Sequence, residues 1–273
     1  MHPKDHIGGA GFVSDHFAHN NPTIIASKRI RHDLKSKDDR DPTSVFGNNR
    51  GVPIPEKLEA AEYRELSVGG LRFELQKIHA HQPGDLFIFL DKSVPENAAA
   101  GIDTSVFMVV DTVFPGWIPL FPTNLNPDVA SYYEAMDVIL GYDFDVLMAG
   151  HLTRMGTKAD VQLNRDLFAD ILEGATAGFA AVSQADVGAG TAVSDPTNPN
   201  AGNVWLLFTE LIARQTDMCA AYVLDSASRG RDWLAEVAGV DLTLRTQHTQ
   251  TPQQPPLGSK TPTGVVRTAF KFW

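Results

Sequence analysis

A chain of 273 residues with 43% apolar and 21% charged residues can bury a substantial core, a balance that excludes a disordered protein. Its formal charge of -10 argues against a nucleic-acid partner, because phosphates reward clustered Lys and Arg. The one basic cluster, Lys28-Arg29-Ile30-Arg31, is soon followed by Asp38, Asp39 and Asp41 and reads as a solvated face.

The elements expected in chain order begin oddly. Met1 to Gly11 is dense in His, Asp and Gly, a composition of loops inside functional sites. Pro22 to Ser27, with Thr23, Ile24 and Ile25, reads as a short strand, and residues 35–55 as a long polar loop. Leu66-Ser67-Val68, Gly69-Gly70 and Leu71 to Leu75 form a hairpin signal. Leu86 to Leu90 and Val106 to Val110 are apolar runs rich in Val, Ile and Phe, hence buried strands. A helix is expected over Pro127 to Leu140 and a strand over Asp145 to Ala149. Thr157 with Asp160 resembles a capping box opening a long helix through Leu172. A further helix spans Ala201 to Ala227, with Trp205, Leu206, Phe208, Leu211 and Ile212 at helical spacing. Strands early and mixed strand-helix units later imply an α/β or α+β sandwich, taken over residues 1–245. Residues 246–273, rich in Gln, Thr and Pro, read as a disordered tail.

Cys219 is the single cysteine, so no intrachain disulfide can form and a reducing, cytoplasmic setting is expected. In the apolar run Met218 to Tyr222 it reads as a buried structural thiol. No apolar run is long enough to span a bilayer, and His2, Lys4, Asp5 and His6 stand where the apolar part of a signal peptide would begin. Neither a membrane nor a nucleic-acid partner is expected.

Three stretches carry chemistry. The first is Asp5-His6-Ile7-Gly8-Gly9-Ala10-Gly11, and the second is His79-Ala80-His81-Gln82-Pro83-Gly84-Asp85, just before a strand. The third is a pair of strand ends, Val109-Val110-Asp111-Thr112-Val113-Phe114-Pro115-Gly116-Trp117 and Met148-Ala149-Gly150-His151-Leu152. Each places Asp or His at a strand edge or in a glycine-rich turn, where side chains can converge on a metal while strands hold the backbone. Singly each has a bland reading: a hydrogen-bonded histidine, a turn, a cap. Asp85 and Asp145 are read as turn caps, and Trp117 and Phe121 equally as core or as pocket.

In this order the stretches resemble the metallo-β-lactamase fold hydrolases. That family's pattern runs His-x-His-x-Asp-His before Gly-Gly, then a distant His, a bridging Asp after a strand, and a final His in Gly-His. Asp5 and His6 match the second half of the opening motif, His81 the distant His, Asp111 the bridging Asp and His151 the last His. The resemblance covers about two-thirds of the chain and implies an αββα-type fold of the α/β class. It implies Asp5, His6, His81, Asp111 and His151 as metal ligands, with Asp5 and Asp111 in the catalytic machinery. The ion it implies is Zn²⁺, whose bound hydroxide attacks an ester, thioester, lactone or amide of a small-molecule substrate.

The match breaks at its start. The motif's first two histidines would fall on Met1 and Pro3, and His2 is out of register. One ion rather than two is therefore expected, held mainly by Asp5, His6, Asp111 and His151. The family's β-sheet before this motif has no counterpart, so part of the N-terminal sheet is expected to be missing and the chain reads as truncated or degenerate. Impaired hydrolysis follows from the resemblance; the competing class is a non-catalytic member binding one ion or none. Of the two neighbouring histidines, His81 rather than His79 is expected to face the metal, because it stands directly before Gln-Pro-Gly-Asp.

Overall fold

A computed structural model of the chain describes residues 9–17, 19, 22–35, 57–59, 63–82, 84–119, 129–151, 154–183, 185, 187, 194–199 and 201–248, with backbone alone at 57–59 and 245–248. The chain forms two compact units, Met1–Val110 with Tyr142–His151 and Asp111–Gly141 with Leu152–Trp273. The mixed α/β class expected from the sequence is the one observed.

The first unit carries the strands. Helix α1 (Ala10–His16) precedes β1 (Ile25–Ser27) and α2 (Lys28–Leu34), and β1 pairs in parallel with β2 (Lys57–Glu59). Ser27 caps α2 by accepting from the Ile30 N–H at 3.3 Å, so the basic cluster forms the first turn of a helix. A five-stranded sheet follows in the order β3 (Tyr63–Val68), β4 (Leu71–Lys77), β5 (Leu86–Leu90), β6 (Val106–Met108), β7 (Val146–Met148). Neighbours run antiparallel except β6 and β7, which are parallel. The expected hairpin is β3–β4, turning at Gly69-Gly70.

Alternation on β5 sends Phe87 and Phe89 to one face, where both are buried. There Phe87 meets Phe107 of β6 at a ring separation of 4.7 Å, and Phe107 meets Tyr142 at 5.2 Å and Phe144 at 5.6 Å. These offset and edge contacts fix how β5 and β6 lie beside the segment leading into β7. Asp145 strengthens that segment. Its carboxylate accepts from Lys92 Nζ at 2.8 Å and from the Ser105 N–H at 2.7 Å, the structural role anticipated for it. Helix α3 (Pro95–Ala99) is tied to β4 by the buried Asn97, whose amide donates to Arg72 O and accepts from the Arg72 N–H.

The second unit is helical: α4 (Val129–Leu140), α5 (Lys158–Ala181), α6 (Val204–Leu224), α7 (Ser226–Arg229), α8 (Trp233–Glu236) and α9 (Val240–His248). The Thr157/Asp160 capping box opens α5 as expected, but the helix continues past Leu172 to Ala181. It does so because its inward stripe, Val161, Leu167, Phe168, Ile171 and Ala175, keeps helical spacing. Helix α9 likewise runs past residue 245, where the sequence changes character. The core joins Ile118, Leu167, Ile171, Cys219, Val223, Trp233 and Val240.

Two arginines staple the chain after α6 onto α5. Arg229 pairs with Asp170 and Glu173, and Arg231 with Asp166 at 2.8 Å, while Trp233 Nε1 donates to Asp170 at 2.8 Å. Cys219 is fully buried, and burial pushes its thiol up to about 12, as befits a structural residue. Among the described residues no helix is long and apolar enough to cross a membrane.

Small residues let α5 and α6 approach closely. A Cβ at Gly178 would stand 2.5 Å from the Gln215 carbonyl oxygen and 3.4 Å from the Cys219 nitrogen, both backbone atoms that cannot swing aside. Gly178→Ala should therefore lower stability by about 1–3 kcal/mol, the usual cost of overpacking. Urea unfolding with an unchanged midpoint would show that the helices separate freely.

Candidate metal centre

The sheet topology gathers part of the expected site. His81 lies in the loop between β4 and β5, closed where the Ile78 N–H donates to Asp85 O at 3.0 Å. The antiparallel register pairs Ile88 of β5 with Met108 of β6, and the parallel one pairs Met108 with Met148 of β7. The start of β5 and the ends of β6 and β7 thus share one sheet edge. His81 precedes β5 and His151 follows β7, so both leave the sheet at that edge.

The two histidines of the β4–β5 loop part company. His81 is 3% exposed, with Nε2 3.5 Å from the amide nitrogen of Gln82, whereas His79 is exposed. Asp85 turns this loop by accepting from the Gln82 N–H at 2.6 Å, as its bland reading anticipated. His151 is exposed. Asp5 and His6 lie outside the described residues, as does Phe121.

Asp111 opens the helical unit and is the most constrained of the candidates. It is fully buried, and it alone among the described non-glycine residues has a positive φ, 61°. An L-residue pays roughly 1–2 kcal/mol for this left-handed backbone, somewhat less for Asp than for bulkier types. Such conformations persist only where surroundings over-determine them, and they cluster at functional sites.

The surroundings here are explicit. Tyr132 of α4 donates its hydroxyl to Thr112 O at 2.6 Å. Asn164 of α5 accepts from the Phe114 N–H at 2.9 Å and donates to Phe114 O at 3.2 Å and Trp117 O at 3.4 Å. The Ala238 N–H donates to Gly116 O at 2.9 Å, and Ala238 O accepts from the Ile118 N–H at 3.1 Å. Net contributions of about 0.5–1.5 kcal/mol per hydrogen bond together exceed the strain of one left-handed residue. Trp117, held by this segment, stays half exposed.

Arg154 completes the frame. A Cβ added at Gly116 (φ 78°) would meet its guanidinium at 3.1 Å, so the arginine lies over that glycine. Arg154 pairs with Asp160 at 2.5 Å, and Asp160 also accepts from the Thr157 N–H at 2.8 Å. Burial raises the Asp160 carboxyl, but hydrogen bonds from Arg154 and Thr157 outweigh it and hold the group below the usual carboxylate range.

Sequence reasoning finds Asp111 and passes over Tyr132, Asn164 and Arg154. A signal exists for Asn164: it falls on the buried stripe of α5, three residues from both Val161 and Leu167. A polar side chain at an apolar position needs partners, and this one has them. Tyr132 carries a weaker version of the same mark, three residues from both Val129 and Ala135 on the buried stripe of α4, and Arg154 carries none.

Imidazole nitrogen and carboxylate oxygen are ordinary Zn²⁺ donors, so the expected set fits such an ion in kind. Among the described residues no three His, Cys, Asp or Glu side chains form a group able to hold a metal ion.

No protein-family model matches the chain, and no curated protein matches it. Solved structures that resemble it include a B3 metallo-β-lactamase and a metallo-β-lactamase family protein. The B3 metallo-β-lactamase BLEG-1 is 18% identical with a TM-score of 0.45, covering 60% of this chain and 72% of its own. The stereoselective inverting sec-alkylsulfatase Pisa1 from Pseudomonas sp. is 15% identical with a TM-score of 0.44, covering 77% and 38%. A metallo-β-lactamase family protein from Thermus thermophilus is 15% identical with a TM-score of 0.39, covering 84% and 66%. The chain thus spans little more than a third of the alkylsulfatase and just under two thirds of the Thermus protein. Likenesses this distant carry no argument about chemistry.

Two outcomes follow from this geometry. Asp111→Gly should be more stable than Asp111→Ala by about 1 kcal/mol, because only glycine adopts the left-handed backbone without penalty; equal melting temperatures would contradict the strain. The second concerns acid. The folded Asp160 carboxyl lies below its unfolded value, so its stabilisation is full above about pH 4 and is lost as pH falls through the folded value. The stability gap between wild type and Asp160→Asn should narrow in acid, and a gap constant from about pH 7 to about pH 3 would refute the pairing.

Proposed function

We propose that the chain is a metal-dependent hydrolase of an ester, thioester, lactone or amide, using one Zn²⁺ ion. Asp5, His6, Asp111 and His151 would hold the ion, with His81 as a further donor. The observation that carries this reading is Asp111, a fully buried carboxylate on a left-handed backbone. Aspartate is among the residues that tolerate such a φ, and it is the full burial of this one that sets it apart from an ordinary solvent-facing turn. A buried carboxylate instead belongs beside a positive charge or a metal ion.

When bound, Zn²⁺ supplies Lewis acidity, making hydroxide available near neutral pH and drawing electron density from a carbonyl. The chain's own residues do the rest. Asp111 offers a carboxylate held out of solvent, so little of its own desolvation remains to be met when a ligand arrives. His81, equally buried, offers an imidazole whose neighbour Gln82 can fix which ring nitrogen carries the proton. Trp117, half exposed, gives an acyl substrate an apolar surface beside the pinned segment.

Purified chain equilibrated with Zn²⁺ and desalted should retain one equivalent by elemental analysis. Asp111→Asn should retain less, and chelation should abolish hydrolysis of a generic ester or lactone. Two retained equivalents would contradict the single ion. Hydrolysis indifferent to chelation would contradict the metal-dependent reading as a whole.

A further inference from the structure

We propose that Tyr132 and Asn164 are positioning residues for Asp111, acting through the backbone that follows it; this rests on the reading of Asp111 as a metal ligand. Both side chains are fully buried. Both reach out of their own helices. Tyr132 reaches from α4 to the carbonyl of Thr112, the residue next to Asp111, at 2.6 Å. Asn164 reaches from α5 to both backbone atoms of Phe114 and to the Trp117 carbonyl. Two helices therefore grip the peptide one and three residues beyond the strained position.

The choice of residue types supports a positioning role over simple filling. A buried asparagine in an apolar stripe costs desolvation unless every donor and acceptor is used, and an aliphatic residue would pack there at no such risk. Asn164 instead matches one N–H and two carbonyls of a turn that has no regular partner strand. Tyr132 packs its ring on Phe168 at 5.0 Å, which fixes the ring and so aims the hydroxyl. The carbonyl of Thr112 lies one residue beyond Asp111, with the ψ of Asp111 and the φ and ψ of Thr112 between it and the Asp111 Cα. Holding it limits the rotation through which Asp111 could return to a common backbone conformation. A ligand carboxylate that could swing would lose affinity each time it did, and supports of this kind are worth about 10–100-fold in metal affinity.

The test uses the full chain stripped of metal, with Zn²⁺ as the probe. Affinity is read by competition with a chromophoric chelator, and the metal-free melting temperature is read in parallel. Tyr132→Phe keeps the ring and removes one hydrogen bond, so it is expected to fold. Asn164→Asp keeps the acceptor and removes both donations. Ile171→Val, in the core of the same helix, serves as a control for lost stability without a link to the segment. Tyr132→Phe and Asn164→Asp should weaken Zn²⁺ binding about tenfold or more, while Ile171→Val lowers the melting temperature and keeps wild-type affinity. Wild-type affinity in Tyr132→Phe overturns the inference, and so does an equal loss in Ile171→Val. Asp111→Asn separates the two layers. If it loses affinity while Tyr132→Phe does not, only the positioning role fails. If it binds Zn²⁺ like wild type, or if wild type binds none, the reading beneath fails and the inference falls with it.

Discussion

The left-handed backbone of Asp111 is tolerable only because the residues from Asp111 to Ile118 are held from several sides. Tyr132 holds the Thr112 carbonyl, Asn164 the middle of the segment, and Ala238 its end. Those three anchors sit on or beside three different helices, α4, α5 and α9. Much of the helical unit can be understood as the scaffold these anchors require. Helix α5 must be long and straight enough to present Asn164 inward while its capping box and Arg154 secure its start. The close approach of α6 at Gly178, and the Arg229 and Trp233 contacts with Asp170, brace that helix from the other side.

The sheet plays the complementary part for the histidines. Its strand order alone brings the β4–β5 loop and the end of β7 to one edge, with no need for contacts between the loops themselves. The aromatic cluster of Phe87, Phe107, Tyr142 and Phe144 packs β5 and β6 against the entry to β7, and the Lys92–Asp145 pair ties the end of β5 to the start of β7, at the opposite end of the sheet. Rigid strands with functional groups just past their ends are a common way to place ligands without ordering long loops.

What the sequence makes legible divides by range. Short-range signals read well: the Gly69-Gly70 hairpin, the Thr157/Asp160 capping box, the apolar runs of β5 and β6, and the buried thiol of Cys219. Each depends on residues within one turn or strand. Ends of elements read less well. Helix α5 outlasts its expected end because tertiary packing on α6 overrides the weak helix preference of Gly174, Thr176 and Gly178. The basic cluster at Lys28 reads as a solvated face without a stated element, and Ser27 starts a helix there. Asp111 is marked by its place in an ordered motif, whereas Arg154 is invisible in the sequence, because its value lies in a partner that no local pattern announces. Spacing does not separate His81 from His79. In the structure His81 is buried and His79 is exposed.

The central claim is that a strained, buried Asp111 is a metal ligand. The most direct measurement is a crystal structure of the full chain grown with Zn²⁺, with anomalous data collected at the zinc edge. The account predicts one anomalous peak about 2.0–2.2 Å from a carboxylate oxygen of Asp111, whose φ stays positive. A peak elsewhere, with Asp111 in an ordinary extended or helical conformation, would contradict it.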